Sequence, residues 1–221
     1  MSARVKRLVE QLAAIDLDNV FNPYADVCRA HDDTESPLIR RKNLEHYING
    51  ALAKNTSTAW VGRDLGYRGG RRTGLPLTDE ARLETFSESF DARRVKKATT
   101  TEVVAERTAA EIWRVLSELE VPPFLWNAFP LHPHEPNEQL SNRCHSKKEF
   151  LACSHILSEL IEIFQFKKIY ALGNDAARAL EPLDVEVVCI RHPSYGGQTE
   201  FRRQMAMEYH LRERQAELAF H

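Results

Sequence analysis

The stretch Lys168-Ile169-Tyr170-Ala171-Leu172-Gly173-Asn174-Asp175-Ala176-Ala177-Arg178-Ala179-Leu180 decides the fold. An apolar run that stops at Gly173 is too short for a helix and reads as a buried strand, and helical spacing resumes at once from Asn174 to Leu180. Three other runs have the same look: Ala59 to Gly62, Phe124 to Asn127 and Val185 to Ile190. Between and after them lie helical patterns at about Thr101 to Leu119, Lys147 to Phe166 and Thr199 to Leu218. In the second of these, Phe150, Leu151, Ile156, Leu157, Leu160, Ile161 and Phe164 build one apolar stripe, which marks core. Strands alternating with helices predict a largely parallel sheet. Ahead of it, residues 1–55 read as a helical extension packed on the core, interrupted at Asn22-Pro23 and His31 to Ser36.

In an open parallel sheet the ligand sits beyond the carboxyl ends of the strands, so the residues following each strand carry the chemistry. The first strand runs into Gly62-Arg63-Asp64-Leu65-Gly66-Tyr67-Arg68-Gly69-Gly70-Arg71-Arg72, and the second into Asn127-Ala128-Phe129-Pro130. The third runs into Gly173-Asn174-Asp175 and the fourth into Arg191-His192-Pro193-Ser194. An Asp, an Asn and a His are thereby expected on one rim.

Between Gly62 and Arg72 there are four Arg and one Asp. Glycines let the backbone approach a ligand while guanidinium groups hold phosphates, although a solvated loop with a charge bias has the same composition. Asp64, a carboxylate among arginines, is expected to stay ionised, suited to orient water or stabilise a cation; pairing with Arg63 or Arg68 is its simpler use. Asn127 follows Phe124-Leu125-Trp126, where an amide is costly to bury without partners. It either satisfies loop backbone or reads a ligand edge with its donor and acceptor. His192 is either a hydrogen-bonding residue of the fold or a donor to the ligand.

Over the 221 residues, 30 Lys and Arg against 32 Asp and Glu leave a formal charge of -2. That excludes nucleic-acid binding through bulk charge and leaves it to local basic loops. No run approaches the roughly 18 apolar residues of a membrane span, and the charges between Met1 and Ala13 are unlike a signal peptide, so a soluble cytoplasmic protein is expected. Cys28, Cys144, Cys153 and Cys189 match neither a zinc site nor a disulfide framework. His132 and His134 alternate in a Pro-rich loop with no third ligand nearby, and no metal is expected.

Four segments together resemble the uracil-DNA glycosylase superfamily: Gly62-Arg63-Asp64 with Gly74-Leu75-Pro76, Asn127-Ala128-Phe129-Pro130-Leu131-His132-Pro133, Leu172-Gly173-Asn174-Asp175-Ala176, and His192-Pro193-Ser194. The resemblance implies an α/β/α three-layer domain over residues 56–221 with a central four-stranded parallel sheet. It implies a monomer that flips a deaminated base from DNA and hydrolyses its glycosidic bond in base-excision repair, without metal or organic cofactor. By position, Asp64 would place the attacking water, Asn127 would read the base edge and His192 would hydrogen-bond the leaving base. Gly62, Tyr67 and Leu77 would border the base, with Tyr67 near the place where a tyrosine blocks the thymine methyl. Arg68, Arg71, Arg72, Ser194 and Tyr195 would meet the DNA, and Arg93, Arg94, Lys96, Lys97, Arg202 and Arg203 would extend the basic track or simply be solvated.

Three features depart from the pattern. Leu77 stands where relatives stack a phenylalanine on the base, Tyr195-Gly196-Gly197 replaces an aliphatic wedge, and the cysteines lack iron-sulfur spacing, so no cluster is expected. Two other functions fit: a nucleic-acid or partner-binding module that keeps the fold without catalysis, or an enzyme acting on free nucleosides.

Overall fold

The computed structural model describes residues 2–92, 95–183 and 185–211. The chain opens with helix α1 (Ser2–Ala13), a two-residue strand β1 (Val20–Phe21) and helix α2 (Ser36–Ala53). Strand β2 (Thr58–Asp64) then leads into the short helix α3 (Gly70–Thr73), helix α4 (Leu83–Ser89), helix α5 (Arg107–Leu116) and strand β3 (Phe124–Phe129). There follow β4 (His132–Pro133), α6 (Lys147–Phe164), β5 (Lys168–Leu172), α7 (Asn174–Leu180), β6 (Val187–Ile190) and α8 (Gln198–Glu208).

The central sheet has the order β3-β2-β5-β6, and all its neighbours are parallel. All six residues of β3 and most of β2 and β5 are buried, as expected for strands covered by helices on both faces. Trp60, Phe124, Leu125, Trp126, Ile169 and Ala171 form the middle of the core. Side chains of the first fifty residues join the same cluster, with Val5, Leu8, Val9, Leu12, Tyr47 and Ile48 fully buried. Tyr47 ties the extension to the sheet: its hydroxyl donates to the Leu125 carbonyl at 2.9 Å and its ring stacks on Phe124 at 5.1 Å.

Three boundaries differ from the sequence reading. The helix expected from Thr101 begins only at Arg107, because side chains occupy the preceding backbone: Glu80 accepts from the Val104 N–H at 2.9 Å and Asp79 from the Glu106 N–H at 2.6 Å. The second strand runs two residues beyond Asn127, to Phe129, and His132–Pro133 then form β4, whose antiparallel pairing with β1 has no period-2 signal in so short a run. The final helix ends at Glu208 within the described residues, and the rest of the expected span lies largely outside them.

The parallel register places the site. Gly62 lies beside Asn127 and Asp64 beside Phe129, while Leu172 lies beside Ile190 at the next pair of strand ends.

Candidate active site

At the carboxyl ends of the strands is a cavity of about 500 Å³. Gly62 and Asp64 come to it from the end of β2, Asn127 from β3, Leu77 from the turn after α3, and His192 and Ser194 from the loop after β6. Segments far apart in sequence meet there because the strands of one parallel sheet bring their carboxyl ends to the same edge, and the turn after α3 adds Leu77.

Asn127 is 2% exposed; its Nδ2 donates to the Asp64 carbonyl at 2.9 Å, while its Oδ1 is buried with no partner. An orphaned buried acceptor costs on the order of 1–3 kcal/mol, which a ligand N–H would offset. Gly62 makes the approach possible: a Cβ there would lie 2.8 Å from both Asn127 Nδ2 and Leu77 Cδ2. Leu77 itself holds a left-handed φ of 53°, rare for a branched aliphatic residue, and its carbonyl accepts from Trp113 Nε1 at 3.2 Å.

His192 is held as a neutral ring. Burial, followed by the charges of Arg63 and Arg191, lowers its pKa to about 4. The Ser194 backbone N–H donates to Nδ1 at 3.2 Å, with the Ser194 hydroxyl at 2.7 Å from the same nitrogen. Because Nδ1 accepts, the proton resides on Nε2, which is left to donate to a ligand in the cavity that the ring lines.

The Asp64 carboxylate is engaged on both oxygens, Oδ2 with Arg63 Nε and Oδ1 with His145 Nδ1, and its side chain is 7% exposed. Arg63 also reaches Asp175 at 2.7 Å, and that hydrogen bond holds the Asp175 carboxyl below its ordinary range. Glu106 also lines the cavity, its carboxyl pKa pushed upward by burial and by the neighbouring Asp79. So do Arg143, Arg178 and Arg191; Arg143 is committed to Glu149 and to backbone carbonyls, whereas Arg178, paired with Asp175 but largely exposed, and Arg191 form a cationic rim fit for phosphates. Sequence reasoning passed over His145, Glu106 and these three arginines. Each lies outside the motifs, and only Arg191, directly ahead of His192, carried a local signal.

Several expected site residues stand elsewhere. Arg71 is fully buried, its guanidinium 3.7 Å over the Phe21 ring and 2.9 Å from both His132 Nδ1 and the Gln139 carbonyl. Arg72, 7% exposed, pairs with Glu80 at 3.0 Å. Neither can grip phosphate, since α3 turns both into the protein, where they tie loops together. Tyr67 does not line the cavity; its ring lies under the Arg68 guanidinium at 5.5 Å and its hydroxyl accepts from Arg68 Nε at 2.9 Å. Arg68 remains exposed outside the cavity. Arg202 and Arg203 are spent on Glu111 and Glu200, Lys97 on the carbonyls of Thr99 and Thr101, and Arg93 and Arg94 lie outside the described residues. Lys96 offers its backbone N–H to Asn43 Oδ1 at 2.9 Å. Tyr195 borders the cavity and is 97% exposed at φ 51°, followed by Gly196 at φ 75°.

Both ring nitrogens of His132 are occupied, Nδ1 by Arg71 and Nε2 by the Ser141 carbonyl at 2.8 Å. Among the described residues, no group of three or more His, Cys, Asp or Glu is placed to share a metal. No helix among them is long and apolar enough to cross a membrane.

A family model described as the uracil DNA glycosylase superfamily matches residues 50–214. The solved structure of wild-type SMUG2 from Pedobacter heparinus superposes with a TM-score of 0.61 at 15% identity, covering 94% of this chain and 97% of that one. No curated protein matches.

Proposed function

This chain belongs to the uracil DNA glycosylase superfamily, and from that premise we propose that it hydrolyses the N-glycosidic bond of uracil or another deaminated base flipped out of DNA. The observation that carries the reading is the complementary set on one cavity: the unpartnered Asn127 Oδ1, the Nε2–H of a neutral His192 and the Asp64 carboxylate. A deaminated base offers a ring N–H and an adjacent carbonyl. Asn127 Oδ1 accepts the first, and His192 donates to the oxygen on which charge accumulates.

In the reaction the C1′–N bond breaks with its electron pair going to the base, leaving the sugar with oxocarbenium character. His192 stabilises the departing anion as a preformed donor would an oxyanion. Asp64 stabilises the cationic sugar; a water oxygen then bonds to C1′ and its proton passes to the carboxylate, from which solvent or the departed base removes it. Flipping costs a few kcal/mol, least at a mismatch, which favours damaged sites. Tyr195, projecting from a loop with two consecutive left-handed residues, fills the gap left in the stack, and Arg178 and Arg191 meet phosphates. The protein acts as a monomer and needs no cofactor.

The test is alkali cleavage of oligonucleotides carrying uracil, hypoxanthine or xanthine, single- and double-stranded. Strand scission at the modified base is expected for at least one substrate. Leu77, which removes an aromatic face from the cavity, favours the alternative of a binding module, and binding without base release from any substrate would establish it.

A further inference from the structure

We infer that His145 is a positioning residue for Asp64, holding the carboxylate by an Nδ1–H···Oδ1 hydrogen bond in the one orientation the reaction uses; the inference rests on the glycosylase reading of this cavity. An ionised carboxylate only accepts, so the contact requires the proton on Nδ1. With Arg63 on Oδ2, the bond leaves the Asp64 carboxylate no freedom to rotate.

The imidazole is itself packed against two aromatic rings. Its ring centroid lies 5.3 Å from that of Phe129, the strand neighbour of Asp64, and 5.7 Å from that of Phe150 on α6. The loop that delivers it is anchored immediately upstream, where Arg143 reaches Glu149 at 2.6 Å, the His134 carbonyl at 2.8 Å and the Asn19 carbonyl at 3.0 Å. Immediately downstream Ser146 caps α6, its hydroxyl accepting from the Glu149 N–H in a capping box. Three separate devices thus hold a side chain that touches Asp64 across 81 residues of sequence. Packing alone would be served by any ring at this position. A ring with a donor at Nδ1 serves the carboxylate as well.

Two substitutions separate these roles. His145→Phe keeps an aromatic ring packed on Phe129 and Phe150 but has no donor, whereas His145→Asn places an amide N–H close to where Nδ1 stood and gives up the stack. In single-turnover cleavage of the best deaminated oligonucleotide, His145→Phe should be slower by about 100-fold, the scale of a small misplacement of a reacting group. His145→Asn should recover to within about tenfold of the parent, and both should bind the uncleaved duplex with parental affinity. A His145→Phe protein as fast as the parent, or a His145→Asn protein as slow as His145→Phe, overturns the inference. Should either variant fail to fold, imidazole nitrogen NMR of the unmutated chain decides: Nδ1 must be protonated, and a bare Nδ1 overturns the proposal. A parent that releases no base overturns the glycosylase reading and this role with it, whereas an active parent with a bare Nδ1 overturns this role alone.

Discussion

At the scale of single residues, the site is built from groups whose hydrogen bonds are incomplete until a ligand arrives. Asn127 has one committed donor and one vacant acceptor, and His192 has one committed acceptor and one vacant donor. Replacing His192 by Ala should slow single-turnover base release by about 100- to 1,000-fold, the cost of a lost oxyanion donor, with little change in affinity for intact DNA. Asp64→Asn should likewise slow base release while preserving shape and binding; equal single-turnover rates for it and the parent would remove Asp64 from the mechanism. Gly62→Ala probes the space between them. Its methyl would meet Asn127 Nδ2 and Leu77 Cδ2 at 2.8 Å, so the amide must shift and base release should fall, while a thermal melt moves little.

At the scale of elements, arginines that look alike in sequence divide into two sets. Arg71 and Arg72 sit on α3, which is only four residues long and buried throughout, so their charges bind the loops of the fold together. Arg71→Ala leaves His132 Nδ1 and the Gln139 carbonyl without their donor and should destabilise the protein by about 1–3 kcal/mol, read as a lower urea midpoint. Arg178→Ala and Arg191→Ala, on the cavity rim, should instead each flatten the salt dependence of DNA binding and leave the midpoint nearly unchanged. The 193–197 loop makes its own claim: Tyr195→Ala should lower base release from double-stranded substrate more than from single-stranded, because only a duplex has a stack to fill. An equal loss on both substrates would deny Tyr195 that role.

At the scale of the whole molecule, burying neutral histidines sets the acid limit of the fold. Burial lowers His31 to about 4, His132 to about 3 and His192 to about 4. Each therefore binds a proton more readily in the unfolded chain, where histidine titrates near pH 6.5, so stability is full above that pH and falls as pH drops from about 6.5 toward 4. His132 alone accounts for about 2 kcal/mol at pH 5, at roughly 1.4 kcal/mol per pH unit; Glu106, pushed upward, works in the opposite sense. Urea midpoints measured from pH 7.5 to 5 should fall, and a flat profile would mean the rings are not buried neutral. What the sequence by itself determined is the layer order and the rim. Apolar runs ending at Gly173 or at His192-Pro193 specify strands, their alternation with helices forces a parallel sheet, and a parallel sheet collects its strand-end residues on one edge. It was silent on which charges face outward, because a guanidinium on a short turn has the same local pattern whether it meets solvent or Phe21. It was silent too on His145, whose partner is 81 residues away. Only the tertiary structure decided these, since long-range contacts of polar side chains carry no periodicity and arise where separate loops close over one cavity.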